Sequence, residues 1–196
     1  MDRGCASNGG EKMRMKGKIN AKDIIAIAIG TVLFVASTNI QIPMESVQDT
    51  TLQPRIAILA FFSATFGSVV GAVIGFVGHA VSDAFFHGSI WWSWVIAEAF
   101  FAALIGMWAK KFAVSEGGFD AKEFVLFNMV QVCANAVAWI ILAPLLDIVF
   151  YRESPSIVFE QGTWAFLGNV IIAGILGTIL LAGYSFYQRS NINKNQ

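Results

Sequence analysis

Long apolar runs separated by short polar breaks dominate this chain. They fall at about 24–42, 55–66, 68–86, 90–109, 123–146 and 163–187. A helix needs roughly 20 predominantly apolar residues to cross a bilayer, and every run except the second is long enough. The pattern predicts an all-α membrane protein, with six transmembrane helices in one compact bundle. The second run, Arg55–Phe66, is only 12 residues long. It is either a tilted helix protected by neighbours or a partial span shielded inside the protein. Phe66-Gly67-Ser68 leaves almost no loop before the third.

Within the runs, small and polar residues mark helix faces. Ala26 and Gly30 in the first span have the small-xxx-small spacing that lets another helix approach closely, from this chain or from a partner. Gly67, Gly71, Gly75 and Gly78 give the third span a similar face. In the fifth, Asn128, Gln131, Asn135 and Trp139 follow one another in steps of three, four and four. That spacing sets them on one face. Amides facing lipid are costly, so the face must look inward, either to another helix or to a ligand. The sixth span, with Gly168, Asn169, Gly174 and Gly177, reads as a packing helix. The Pro43–Pro54 connection, which holds Met44, Glu45, Gln48, Asp49 and Gln53, is longer than a tight turn needs. It serves as a solvated link or as a lid over a ligand.

Gly75–Glu98 departs furthest from plain membrane sequence. It holds both histidines, three of the six tryptophans, an aspartate and a glutamate. Ionisable groups at membrane depth are expensive and mark functional sites. His79, Asp83 and His87 step by four along one face near the outer end of the third span, with His87 beside the Gly88-Ser89 break. Trp91, Trp94 and Glu98 recur on one face of the fourth, while Trp92 points elsewhere as an interfacial anchor. Four readings compete: a metal held by His79, Asp83 and Glu98, a proton relay, an outward-opening aromatic cavity for a small molecule, and polar packing without a ligand.

Composition narrows the class. The chain is 56% hydrophobic and 13% charged, with a mean hydropathy of +0.64. A soluble domain carries about 25% charged residues. The net charge is zero, but its distribution is lopsided. An even number of spans puts both termini on one side. With the N-terminus cytoplasmic, Arg3, Lys12, Arg14, Lys16, Lys18, Lys22, Lys110, Lys111, Lys122, Arg189 and Lys194 lie inside, leaving Arg55 and Arg152 outside. The positive-inside rule therefore predicts a multi-pass protein of the bacterial cell membrane with cytoplasmic termini. Residues 1–20 read as a mobile cytoplasmic tail, 21–189 as the membrane domain and 190–196 as a short cytoplasmic tail. Cys5 and Cys133 suggest neither a disulfide nor a metal site, and Cys133 reads as a buried apolar side chain. No phosphate-binding loop is present, so energy from ATP has to come from partner subunits, and nothing points to nucleic acid.

The segment GFxGHxxxDxFxxGxxWWSW, the short second span and the basic loop between the fourth and fifth resemble an S-component of an energy-coupling factor (ECF) transporter. The likeness covers about residues 19–188 and is closest to the family that contains a cobalamin-specific member. Gln53–Ala60 and Phe66–Gly71 carry it as well. It implies a vitamin-capture subunit, not an enzyme, that docks on a transmembrane coupling protein bound to two cytoplasmic ATPases. Toppling in the membrane then delivers the vitamin inward. By the same resemblance, Ala26 and Gly30 face the coupling protein, and Pro43–Pro54 is an outer gate. The expected ligand-contacting residues are Gln53, His79, Asp83, His87, Trp91, Trp94, Glu98, Gln131, Asn135 and Trp139. No cofactor is called for; cobalamin or its precursor cobinamide enters as cargo, and another small vitamin is the alternative.

Overall fold

The computed structural model describes residues 19–40, 42–43 and 51–194. Cys5 and most of the N-terminal tail lie outside this range. Helix α1 spans Ala21–Ser37 and starts on a capping box, with the Asn20 side chain accepting from the Lys22 and Asp23 N–H groups while Asp23 accepts from Asn20. It ends five residues earlier than the apolar run. The hydroxyls of Ser37 and Thr38 donate back to Phe34 O at 2.8 and 3.2 Å, closing the last turn. Ile42–Pro43 (β1) then pairs antiparallel with Thr51–Leu52 (β2), the only strand pairing among the described residues. This ladder draws the two ends of the Pro43–Pro54 connection together. Met44, Glu45, Gln48 and Asp49 lie outside the described residues.

Helices α2 (Arg55–Phe66) and α3 (Ser68–Phe86) match the predicted runs. Gly67 joins them at φ 98°, a conformation that side-chain-bearing residues rarely adopt. At 1.5 Å per residue, α2 is only about 18 Å long. Ile56, Leu59, Ala60, Phe62, Ser63 and Ala64 are all buried, so α2 is the shielded partial span. Helix α4 (Trp92–Gly106) is followed at a 51° bend by α5 (Ala109–Phe112) and a 3₁₀ turn at Val114–Glu116.

The rest of the described chain forms two long rods. The first is α6 (Ala121–Asn135), a π segment (Ala136–Leu142) and α7 (Ala143–Tyr151). The second is α8 (Pro155–Ile172), a π segment (Ala173–Gly177) and α9 (Thr178–Lys194). The first outruns the apolar pattern because Asp147 finds hydrogen-bond donors inside the protein. The second starts eight residues before the apolar run, with Pro155 in its first turn and the polar Glu160 and Gln161 within the helix. Among the described residues, three helices are long and apolar enough to cross a bilayer alone, and the bent α4–α5 pair makes a fourth. The six predicted spans therefore appear as helical segments of unequal length.

The core is built on Phe34, Leu59, Ile74, Phe101, Phe127 and Trp139. Outside it, Ile25, Val32, Phe85, Val149, Ile171 and Ile179 are more than half exposed. Apolar surface on this scale needs a lipid solvent, which agrees with a membrane protein. Two expectations change here. The face of α1 carrying Ala26 and Gly30 is turned inward, and a Cβ on Gly30 would meet Ile74 and Phe62. The chain's own α2 and α3, through Phe62 and Ile74, pack against this small-residue face at Gly30. Cys133 is exposed, because it lies on the side of α6 opposite the buried Gln131 and Asn135.

Candidate functional site

A cavity of about 610 Å³ opens at one end of the bundle, where α2, α4 and α8 begin and α3 and α7 end. The volume falls in the range of small-molecule sites. Lys110, Lys111 and Arg189 sit at the opposite end, near the C-terminus of α4 and the start of α6. There Arg189 donates to Gly117 O and pairs with Asp120, both at 2.8 Å.

The cavity floor is a buried charged network. Asp83 Oδ2 accepts from the Trp91 backbone N–H at 2.9 Å, which pins the end of α3 to the start of α4. Asp83 Oδ1 lies 3.4 Å from His79 Nε2. His79 Nδ1 is 2.5 Å from Glu98 Oε2, close contact without hydrogen-bond alignment. Arg55, the first residue of α2, brings Nη2 to 3.6 Å from Glu98 Oε2 and 3.4 Å from His79 Nε2. Its guanidinium also lies 5.1 Å from the centre of the Phe34 ring. Among the described residues, no three His, Cys, Asp or Glu side chains are placed to hold a metal ion. Arg55 supplies a cation for Glu98 from within the chain.

One wall is aromatic. Trp94 and Trp139 are in contact, with ring centroids 5.2 Å apart, and Trp91 stacks on Tyr151 at 4.2 Å. Asp147, which is 2% exposed, lies within this wall. It accepts from Trp91 Nε1 at 2.6 Å, from Trp94 Nε1 at 2.8 Å and from the Ser93 hydroxyl. The Trp92 N–H donates to the Tyr151 hydroxyl, so Asp147 and Tyr151, one turn apart on α7, both grip the start of α4. A stripe on α8 also lines the cavity: Ile157, Gln161, Ala165 and Asn169, at i, i+4 spacing.

Eight of the ten predicted contact residues line the cavity. They are Gln53, His79, Asp83, His87, Trp91, Trp94, Glu98 and Trp139. His87 stands exposed at the mouth, where it caps α3 beside Gly88 at φ +73°. Trp92 is half-exposed against Phe76, apart from the lining. Gln131 and Asn135 are not brought to the cavity. Asn135 Nδ2 donates to Gln131 O and Oε1, and Gln131 Nε2 donates to Val170 O on α8. Asn128 reaches Thr178 in the same way. The amide stripe of α6 thus joins two helices; only its last member, Trp139, lies within the π segment and reaches the cavity.

Arg55, Asp147 and the α8 stripe were not identified in the sequence. A lone arginine directly after a proline, at the head of a short apolar helix, is one available signal; a lone acid ending the run WIILAPLLD is another. The α8 stripe gave a weaker one, because Glu160 and Gln161 made the segment look like a loop.

Residues 18–185 match the family model described as the S component of the ECF-type riboflavin transporter. A UPF0397 protein of Streptococcus pneumoniae (strain TIGR4) is 39% identical over 171 residues, covering 87% of this chain and 93% of the relative. A UPF0397 protein of Exiguobacterium sp. (strain AT1b) is 38% identical over 164 residues, covering 84% and 90%.

Proposed function

The chain belongs to the ECF-type S-component family, whose members are membrane-embedded transporter subunits and not enzymes, and we propose that its cavity captures a vitamin with a flat conjugated ring. The observation that carries this reading is the wall of Trp91, Trp94 and Trp139 facing a cavity of about 610 Å³ with polar groups at its floor. Aromatic surface with a few placed polar groups suits such a ligand.

Two ligands are favoured by different observations. A flavin is small enough to lie wholly within the cavity, and the matching family model is described by riboflavin. A corrinoid is favoured by the likeness of Gly75–Trp94 to the cobalamin-containing family, but it is much bulkier. It would have to project through the mouth past His87 and the β1–β2 hairpin. In either case the cavity faces outward, because the basic end of the bundle lies opposite. With no phosphate-binding loop of its own, the chain works with a transmembrane coupling protein and two cytoplasmic ATPases.

The test is calorimetry on the purified protein in nanodiscs, with riboflavin, cyanocobalamin and cobinamide run side by side. Tight binding of riboflavin alone supports the first ligand and tight binding of a corrinoid the second; binding of none removes both. Rescue of a vitamin auxotroph should require co-expression of the coupling protein and ATPases. Uptake into vesicles by the lone protein, driven by a pH gradient without ATP, would overturn the subunit reading.

A further inference from the structure

Asp147 occupies an unusual position for a carboxylate. It is buried in the cavity wall, no ion pair to a Lys, Arg or His is found among the described residues, and its three donors all come from Trp91–Trp94. Those donors include the indole N–H groups of two of the three cavity tryptophans. An indole has one donor and no acceptor, so an indole whose N–H is taken can offer a ligand only carbon surface.

The backbone is built to bring this about. Trp139 and Asp147 are eight residues apart, which in a straight α-helix leaves them about 80° apart around the axis. The π segment at Ala136–Leu142 takes more residues per turn and so reduces that angle. Both side chains then reach the same cavity from one rod. Tyr151, one turn beyond Asp147, covers one face of Trp91 and accepts from the Trp92 N–H. The α4 tryptophans are thereby held by their N–H edges and, for Trp91, by one ring face.

We propose that Asp147 is the positioning residue of the ligand wall: by taking the indole N–H groups of Trp91 and Trp94, it fixes these two rings as stacking surfaces that meet a ligand by flat apolar area, and leaves Trp139, whose indole N–H has no partner among the described residues, as the one tryptophan of the wall with a donor to offer. The inference rests on the cavity being the vitamin site. Oδ1 serves two donors, Trp91 and Ser93, and Oδ2 serves Trp94 alone. In Asp147→Asn the remaining oxygen keeps the pair, so the Trp94 indole loses its acceptor.

The test combines two measurements. In protein labelled with ¹⁵N-tryptophan in nanodiscs, Asp147→Asn should move the Trp94 indole N–H resonance and leave that of Trp91 nearly in place. Ser93→Ala should move neither by much. Riboflavin and cobinamide are then titrated in parallel. For the ligand that binds, Asp147→Asn should weaken affinity about tenfold, as expected for loss of one charge-assisted hydrogen bond. In a Trp94→Phe background, which has no indole N–H to lose, the same change should have little effect. An unmoved Trp94 resonance overturns the proposal, and so does an equal loss of affinity in both backgrounds, which would mean that Asp147 acts on the ligand directly. Failure of the wild type to bind either vitamin removes the functional reading, while the spectra still decide the clamp.

Discussion

The guanidinium of Arg55 lies 3.6 Å from the Glu98 carboxylate, tying the first residue of α2 to the middle of α4. Both side chains are largely buried, at 13% and 2% exposure. Removing one partner of such a pair leaves an uncompensated charge. Glu98→Ala should therefore lower stability by about 3 kcal/mol, with Glu98→Gln intermediate. Detergent-solubilised protein followed by thermal melting provides the measurement. An unchanged melting temperature for Glu98→Ala would show that the pair is fully solvated.

The floor network also bears on the ligand. Glu98 contacts His79, which in turn approaches Asp83, so Glu98→Gln loosens the histidine without removing bulk. Affinity for the bound vitamin should fall several-fold in Glu98→Gln and in His79→Ala. His87→Ala, altering an exposed group at the mouth, should have the smaller effect. If His87→Ala proves the most damaging, the ligand is held at the rim and not at the floor.

Asn135 donates to Gln131, and Gln131 donates to Val170 O on α8, away from the cavity. Gln131→Ala should cost about 1 kcal/mol of stability, as expected for one buried hydrogen bond, and leave ligand affinity within twofold of wild type. A large affinity loss at unchanged stability would place the α6 amides in the ligand site after all.

Gly162 is where α8 crosses the π segment, and a Cβ there would run into the Trp139 carbonyl and lie 2.9 Å from Pro144. Neither neighbour is a flexible side-chain end. Gly162→Ala should push α8 off the tryptophan wall and weaken ligand binding and stability together, by about 1–3 kcal/mol in stability. A Cβ on Gly183 would meet nothing within 4 Å, so Gly183→Ala is the matched control and should be neutral.

Because Gly30 packs against Phe62 and Ile74, Gly30→Trp should destabilise the protein and lose ligand binding along with transport. Ala28 lies on the exposed side of α1, and Ala28→Trp should leave the isolated subunit folded and binding. Transport lost in Ala28→Trp while ligand binding stays intact would assign the partner contact to that outer face.

The local elements were legible wherever one signal was strong. Arg55–Phe66 and Ser68–Phe86 fall on the predicted residues because proline and glycine punctuate uninterrupted apolar runs. The ends of α1, α7 and α8 differ from the pattern for the opposite reason. Ser37 and Thr38 close α1 by bonding their own backbone, and Asp147 and Gln161 stay helical because the interior accepts them. A polar residue looks like a helix end until its partner is known, and that partner lies far away in sequence.

From sequence alone followed the membrane class, the short second helix, the charge asymmetry and the concentration of costly groups in Gly75–Glu98. Each depends on hydropathy, spacing or composition, which a linear pattern contains. Only the tertiary structure decided which of those groups meet. It turned Ala26 and Gly30 inward, took Gln131 and Asn135 out of the cavity, and supplied Arg55 and Asp147 from α2 and α7. The reason is physical: a buried polar group must be satisfied, but helical periodicity specifies only the face on which it lies, not the neighbour that satisfies it.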